Sequence, residues 1–374
     1  MTHSIAIVGG GLSGLTLGVE LLEAGLPSDE LLILDGDDSR RGSDVPMALL
    51  HPFPGRSLKP APGLKEAWEA TRNFLASHGA KSKTVTPLSL LRPYTHARGA
   101  RLHTSFEAHR DMLTRDFNVD HLSANVIKHR FPFLGQVDGA IEIASAQRVH
   151  LRALCETLRA TLKTRGVQME RTRISTLSLR SKTWHLQSAA RSYRAARVVL
   201  APGASLGQFF PKLGCVPTLG NLALIHWPEG PPSTLALSMG GHLLPMGEDQ
   251  WLLGATYHRP PHELPSPEET FSQLVKALQP WLPSLASAQR VRLWDGVRSV
   301  IEPSRQAVVG AIPTLAGCYV LSGFGSKGLL WAPLLARHLA GALTLQEERI
   351  PSLIQQPEQQ GAQRWLPNPA HFTL

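Results

Sequence analysis

The 374-residue sequence predicts an α/β protein, α+β overall, in which a domain built on a parallel sheet adjoins a second, mainly antiparallel one. Three observations carry that reading. The chain opens with an apolar run, a glycine turn and a helical pattern, IAIVGGGLSGLTLG. It closes with a similar spelling, CYVLSGFGSKGLLWAP, and the stretches between alternate β-type runs with Pro and Gly turns. A chain of this length suits about two domains.

Residues 4–8 (SIAIV) read as a strand, and Leu15, Val19 and Leu22 recur at helical spacing until Gly25 and Pro27 stop the helix. Residues 31–34 (LLIL) form a second strand ending at Asp35, which completes a β-α-β unit. Residues 64–78 look helical, and 81–139 read as short strand-like pieces between turns. Helical periodicity returns over 148–165, through Val149, Leu151, Leu154, Leu158 and Leu162. Residues 183–187 and 192–200 are expected strands, 216–300 antiparallel strands with one helix near 268–279, 318–322 a strand and 328–343 a helix. The β-α units lie at the start, middle and end. The expected division is therefore a discontinuous nucleotide-binding domain (1–80, 140–215 and 300–374) and a substrate domain made of two insertions (81–139 and 216–299).

Apolar residues make up 43% and charged residues 18%, a globular balance. No apolar run is long enough for a membrane span, and the N-terminal segment reads as a buried strand rather than a signal peptide, so the expected location is the cytoplasm. Cys155, Cys215 and Cys318 are widely spaced and expected to be small buried hydrophobes, and no metal site is expected. Charge is uneven. Residues 1–50 hold two basic and eight acidic side chains, whereas 148–197 hold twelve basic and two acidic. The second segment is either a solvated basic face or a surface for an anionic partner such as RNA.

Gly9, Gly11 and Gly14 fall between strand and helix, where they permit a tight bend, a close approach of backbone to a pyrophosphate and close helix–sheet packing. The N–H groups of the helix start, at Leu12 and Ser13, would face the phosphates. Asp35, with Gly36 behind it, stands where a carboxylate accepts ribose hydroxyls.

The segments that follow resemble the FAD-dependent D-amino-acid-oxidase and glycine-oxidase family, in family order, from residue 4 to about 343. DDSRRGSDVPMALLHPFPGRS resembles the loop that runs past the flavin, which implies cofactor contacts at Arg41, Ala48 and Leu49. VQMERTRISTLSL and AARVVLAPGAS resemble the strand at adenine and the turn behind the cofactor, with Ile174, Ala201 and Gly203 as the matching positions. LPMGEDQWLLGATY and LWDGVRSVIEPSRQAVVGAIP are similar to later strands. The resemblance implies a Rossmann-like FAD-binding domain and dissociable FAD, since no cysteine near Arg298 could hold it covalently.

The closing Gly-x-Gly-x-x-Gly lacks a following strand with its own acid: Glu347 and Glu348 lie in a polar stretch. Its residues Gly325, Ser326, Lys327, Gly328 and Leu329 are therefore expected to aim a helix N-terminus at the same flavin, with Lys327 either a cation beside the reduced ring or a solvated lysine. In the resemblance, Asp295-Gly-Val-Arg298 matches the motif whose arginine binds a substrate carboxylate. The following Ser299–Pro303 departs from the family's usual Pro-x-x-x-Asp-Gly-x-Pro, and His242 stands where relatives often carry Tyr. His242 is either a substrate contact or an ordinary histidine, and His51, in ALLHPF, either lies at the flavin or is structural. Two functions are open. One is oxidation of the C–N bond of a small amine or amino acid, glycine-oxidase-like, by hydride transfer to flavin, with O2 or another electron acceptor. The alternative is a tRNA-modifying flavoenzyme acting on carboxymethylaminomethyl uridine, whose flavin domain the closing motif resembles. It is the less favoured reading, since no counterpart of that enzyme's companion methyltransferase domain is found.

Overall fold

The computed structural model describes residues 2–36, 40–55, 57–79, 84–259 and 264–345. The opening unit forms as its pattern predicts: β1 (His3–Val8), α1 (Leu12–Glu23) and β2 (Leu31–Leu34), with β1 and β2 parallel. β2 is apolar throughout and β1 from Ile5 onward, as strands covered on both faces are. The first sheet runs β9 (Gln168–Glu170), β2, β1, β12 (Ser192–Leu200). Beyond β12 it divides. The start of β12 pairs with β11 (Thr183–Ser188), which pairs with β10 (Ile174–Arg180). Its end pairs in parallel with β19 (Cys318–Ser322), flanked by β18 (Val308–Ala311).

β1, β12 and β19 thus point the same way, and all three end at one edge of the sheet. The turns that leave them are packed so closely that glycine is required. Gly9 has φ +120°, and a Cβ there would stand 2.2 Å from the Ala201 carbonyl oxygen; on Gly14 it would stand 1.9 Å from the Gly9 oxygen.

The second sheet runs β17 (Gln289–Ile301), β13 (Cys215–His226), β16 (Gln250–Gly254), β15 (His242–Gly247), β14 (Leu235–Ser238), β5 (Ser89–Tyr94), β7 (Gly139–Ile143), β6 (Val119–Ser123). Its pairs are antiparallel except β14 with β5. A small third sheet joins β3 (Ala48–Leu50) and β4 (Val85–Pro87) to β8 (Gln147–Val149).

β8 corrects one expectation. Residues 147–149 are a strand, because Val149 pairs with both Ala48 and Val85. The helix α6 (Leu151–Thr164) starts only after His150, whose Nδ1 accepts the Ala153 N–H at 3.2 Å. A second correction concerns 81–139, which holds three helices: α3 (His96–Glu107), α4 (Arg110–Phe117) and α5 (Ala124–Arg130). Each offers only one or two apolar side chains to the core, such as Leu102 and Phe106 of α3 or Leu113 and Phe117 of α4. Such short faces need tertiary neighbours to be stable and give little periodicity to read.

α2 (Leu64–His78) and α8 (Pro267–Leu278) match their patterns, α8 through a capping box between Ser266 and Glu269. α7 (Leu206–Phe209) is a single turn. α9 (Gly328–Leu345) packs along α1, and Arg337 reaches the buried Glu20 at 3.4 Å. Pro333, inside α9, cannot donate to the carbonyl of Leu329. The buried hydroxyl of Thr71 on α2 fills the gap, 3.4 Å from that oxygen and 2.7 Å from the Leu330 oxygen. No described helix is long and apolar enough to cross a membrane. Glu347, Glu348 and the C-terminal part of the 300–374 segment lie outside the described residues.

Gly9→Ala combines a left-handed backbone with an atomic overlap, so it is expected to cost about 3 kcal/mol of stability. Gly25→Ala is the comparison, since Gly25 has φ +90° but nothing within 4 Å of an added Cβ; about 1 kcal/mol is expected there. Thermal unfolding of the two variants should place Gly9→Ala clearly below Gly25→Ala.

Candidate active site

At the carboxyl edge of the first sheet three turns meet: Gly9–Gly14 after β1, Ala201–Gly203 after β12 and Gly323–Gly328 after β19. α1 has Gly11 as its N-cap and no side-chain cap. The N–H groups of Leu12, Ser13 and Gly14 therefore have no partner within the helix. Gly10, which the motif spacing passes over, is also required: a Cβ there would stand 2.3 Å from the Asp35 carboxyl carbon, and its N–H donates to Asp35 Oδ1 at 3.1 Å. Gly203 has φ +59°, and its carbonyl lies 3.4 Å from the Ser322 hydroxyl, which ties the second turn to the third. The start of α9 stands beside that of α1, so two helix N-termini open at one edge.

Asp35 is held by more than was foreseen. Arg41 Nη1 lies 2.9 Å from Oδ2, and the same guanidinium donates to the Gly36 carbonyl. Arg159 of α6 reaches Oδ2 at 3.2 Å and the Gly10 carbonyl at 3.1 Å. Arg159 was legible only as part of a basic run. The available signal was its seven-residue spacing from Arg152, which puts both on one stripe of α6; Arg152 donates to the Asp44 carbonyl at 3.2 Å. Ile174 is buried among core side chains of the first sheet, and the preceding Arg173 lies beside Gly36. Ala48 and Leu49 sit half-buried on β3, which runs against α9.

The long edge strand β17 fastens the second sheet to this edge. The Val297 N–H donates to the Arg40 carbonyl at 2.8 Å, and the Gly325 N–H donates to the Ser299 carbonyl at 2.7 Å. Arg298 lies between these two attachments. Its guanidinium covers the backbone of Gly220, where a Cβ would stand 2.0 Å from Nη1. Nη1 points to the Thr256 carbonyl at 3.4 Å, and the Tyr257 ring centroid is 4.5 Å from Cζ. No acidic side chain pairs with Arg298 among the described residues, and burial pushes its pKa down.

His242 faces Gly254 on the neighbouring strand, and burial, followed by the Arg298 charge, lowers its pKa to about 4. His51 is lowered to about 3 by burial first, then by Arg92 and His242, and its buried Nδ1 has no hydrogen-bond partner. Arg92, on β5, donates to the carbonyls of Phe53 and Gly55 and so holds the loop that follows His51. Lys327 is placed differently from the others: its Nζ donates to the Arg305 carbonyl at 3.2 Å, and burial lowers its pKa. Gly10, Arg159, Gly220, Arg92 and Tyr257 all belong to this region and were not singled out in the sequence.

At least six of the twelve basic side chains in 148–197 have partners within the fold. Arg148 donates to the Pro245 carbonyl, Arg165 pairs with Glu23, Arg191 with Glu170, and Arg197 donates to the Leu343 carbonyl, in addition to Arg152 and Arg159.

A parallel sheet with three glycine-bearing turns at one edge, fastened to an antiparallel sheet that presents a half-buried arginine, is the architecture of a dinucleotide-binding protein with a second domain. Residues 4–342 match the model of the DAO family, "FAD dependent oxidoreductase", and the chain belongs to that family. Among curated proteins it is 26% identical to the tRNA 5-methylaminomethyl-2-thiouridine biosynthesis bifunctional protein MnmC of Caulobacter vibrioides, over 91% of this chain and 54% of that protein. It is 24% identical to the glycine oxidase of Pseudomonas aeruginosa, over 93% of this chain and 96% of that one. It also spans only 62% of the Bacillus subtilis oxidoreductase YurR, at 27% identity. The crystal structure of glycine oxidase from Geobacillus kaustophilus superposes with a TM-score of 0.81 at 20% identity, over 94% of this chain and 97% of that one.

Both histidines are neutral in the folded protein well below their ordinary pKa, whereas the unfolded chain takes up protons near pH 6.5. Stability is therefore expected to fall as the pH drops from about 6.5 towards 4, by up to about one proton per histidine. A pH series of unfolding free energies should show that slope, and His51→Gln with His242→Gln should flatten it.

Proposed function

We propose that the protein oxidises the C–N bond of an amine or amino acid that carries a carboxylate. The observation that carries this reading is Arg298: a half-buried guanidinium with no acidic partner among the described residues, on the strand between the two attachments of the second sheet to the glycine-turn edge. A bidentate carboxylate would supply the missing counter-charge and fix the substrate's orientation. FAD, the family's cofactor, supplies the acceptor for the hydride that leaves the carbon beside nitrogen. The resulting imine takes up water to give a carbonyl compound and the released amine.

The glycine-bearing edge fits such a group, because Gly9, Gly10 and Gly14 leave no room for side chains and the N–H groups of Leu12, Ser13 and Gly14 face outward from α1. In this reading Gly11 lets the pyrophosphate approach, and Asp35, Gly36 and Arg41 meet the adenosine ribose. Ala48, Leu49, Ala201, Gly203 and the backbone at Ile174 line the cofactor. Gly325, Ser326, Gly328 and Leu329 bring the N-terminus of α9 to the flavin's pyrimidine edge, where it stabilises negative charge. Lys327 contributes there by holding the turn: its N–H donates to the Phe324 carbonyl at 2.9 Å and its ammonium to the Arg305 carbonyl at 3.2 Å. His242 and His51, both neutral, accept N–H hydrogen bonds from the substrate nitrogen without repelling it. Location in the cytoplasm accords with this chemistry.

The alternative, action on a carboxymethylaminomethyl group of tRNA, involves the same kind of bond and draws on the MnmC likeness. The internal use of at least six of the segment's arginines argues against a large RNA-binding face there.

An anaerobic screen of flavin bleaching against glycine, sarcosine and other small amines tests the reading without assuming an acceptor. Bleaching by carboxylated amines is expected, and Arg298→Ala should weaken it by about 2–5 kcal/mol in kcat/KM. No bleaching by any small amine, together with salt-sensitive tRNA binding, would transfer support to the alternative.

A further inference from the structure

We propose that Tyr257 is the outer wall of the carboxylate site, a positioning residue that holds the Arg298 guanidinium edge-on to the substrate. This inference rests on the reading of Arg298 as the substrate anchor. Tyr257 is 63% exposed, more than any other large apolar or aromatic side chain among the described residues. It nevertheless stands at a junction. Its ring lies over Arg298 at 4.5 Å, and its hydroxyl is 3.4 Å from the Ser326 hydroxyl in the third glycine turn. One side chain therefore runs from the anchor on the second sheet to the cofactor-facing edge of the first.

The consequence for Arg298 is geometric. The Gly220 backbone lies against the guanidinium, the Tyr257 ring centroid stands 4.5 Å from Cζ, and the Thr256 carbonyl lies 3.4 Å from Nη1. In this proposal the edge of the plane is left for the ligand, the direction from which a carboxylate makes two parallel hydrogen bonds. An aromatic face also holds a cation with little hydrogen bonding of its own, so the donors stay free for the ligand. With water kept from one side, the ion pair formed on binding is stronger than at an open surface. The same tyrosine lines a cavity of about 220 Å³ with Gly240, Gly254, Thr256, His258 and Gln273.

The test compares the FAD-loaded wild type with Tyr257→Phe, Tyr257→Leu and Arg298→Ala, titrated with acetate and benzoate and followed by the flavin absorbance change and by thermal shift. Tyr257→Phe keeps the ring and should bind carboxylates within about twofold of wild type, whereas Tyr257→Leu should bind them about tenfold more weakly. For a turned-over amino acid, Tyr257→Leu should raise KM with kcat little changed, and an amine without a carboxylate should show no such rise; loss of fold alone would affect both. If Tyr257→Leu binds acetate as tightly as wild type while Arg298→Ala has lost binding, the wall is refuted and the anchor stands. If Arg298→Ala also binds normally, the anchor reading itself fails.

Discussion

The close contact between the β1 turn and the β12 turn governs the rest of this molecule. With Gly9 against the Ala201 carbonyl and Gly14 against the Gly9 carbonyl, neither position tolerates even a methyl group. That contact brings the N-terminus of α1 down onto the end of the sheet, so its unpaired N–H groups open at the edge rather than into the core. The parallel pairing of β12 with β19 then carries the last glycine turn to the same edge, from more than three hundred residues away in sequence. Two helix N-termini converge because three strands run in one direction.

Around that edge the charges are mutually constrained. Asp35 is half-buried, and Gly10, Arg41 and Arg159 supply its partners from three separate segments. The basic run over 148–197 thereby looks different in space than in sequence: much of it fastens α6, β8 and β12 to carbonyls and acids of adjacent elements. The substrate side follows the opposite logic. Arg298, His242 and His51 are brought together without an acid among them, and burial holds the two imidazoles neutral. In the function proposed above, an anion would meet the arginine and a nitrogen the neutral imidazoles.

Much of this was readable in the one-dimensional pattern where local rules dominate. The first β-α-β unit, α2, α8 and the Cys318–Ser322 strand all announce themselves through continuous apolar runs, 3.6-residue spacing or a capping box. α3, α4 and α5 did not, because each buries too few side chains to leave a period. β8 was hidden for a related reason: Val149 fits a helical stripe by coincidence, and only its pairing with Ala48 and Val85 makes it a strand.

The sequence by itself determined the two glycine turns, the acid at the end of β2 and the arginine of Asp295-Gly-Val-Arg298, because each depends on backbone freedom or charge at a fixed local spacing. Tertiary structure alone decided that the two glycine turns serve one edge, that Arg159 shares Asp35, that the Lys327 ammonium rests on the Arg305 carbonyl, and that Tyr257 covers Arg298. These are contacts between residues distant in the chain, set by the direction in which strands pair and by which face of each strand meets the other sheet. No spacing along the sequence encodes that direction.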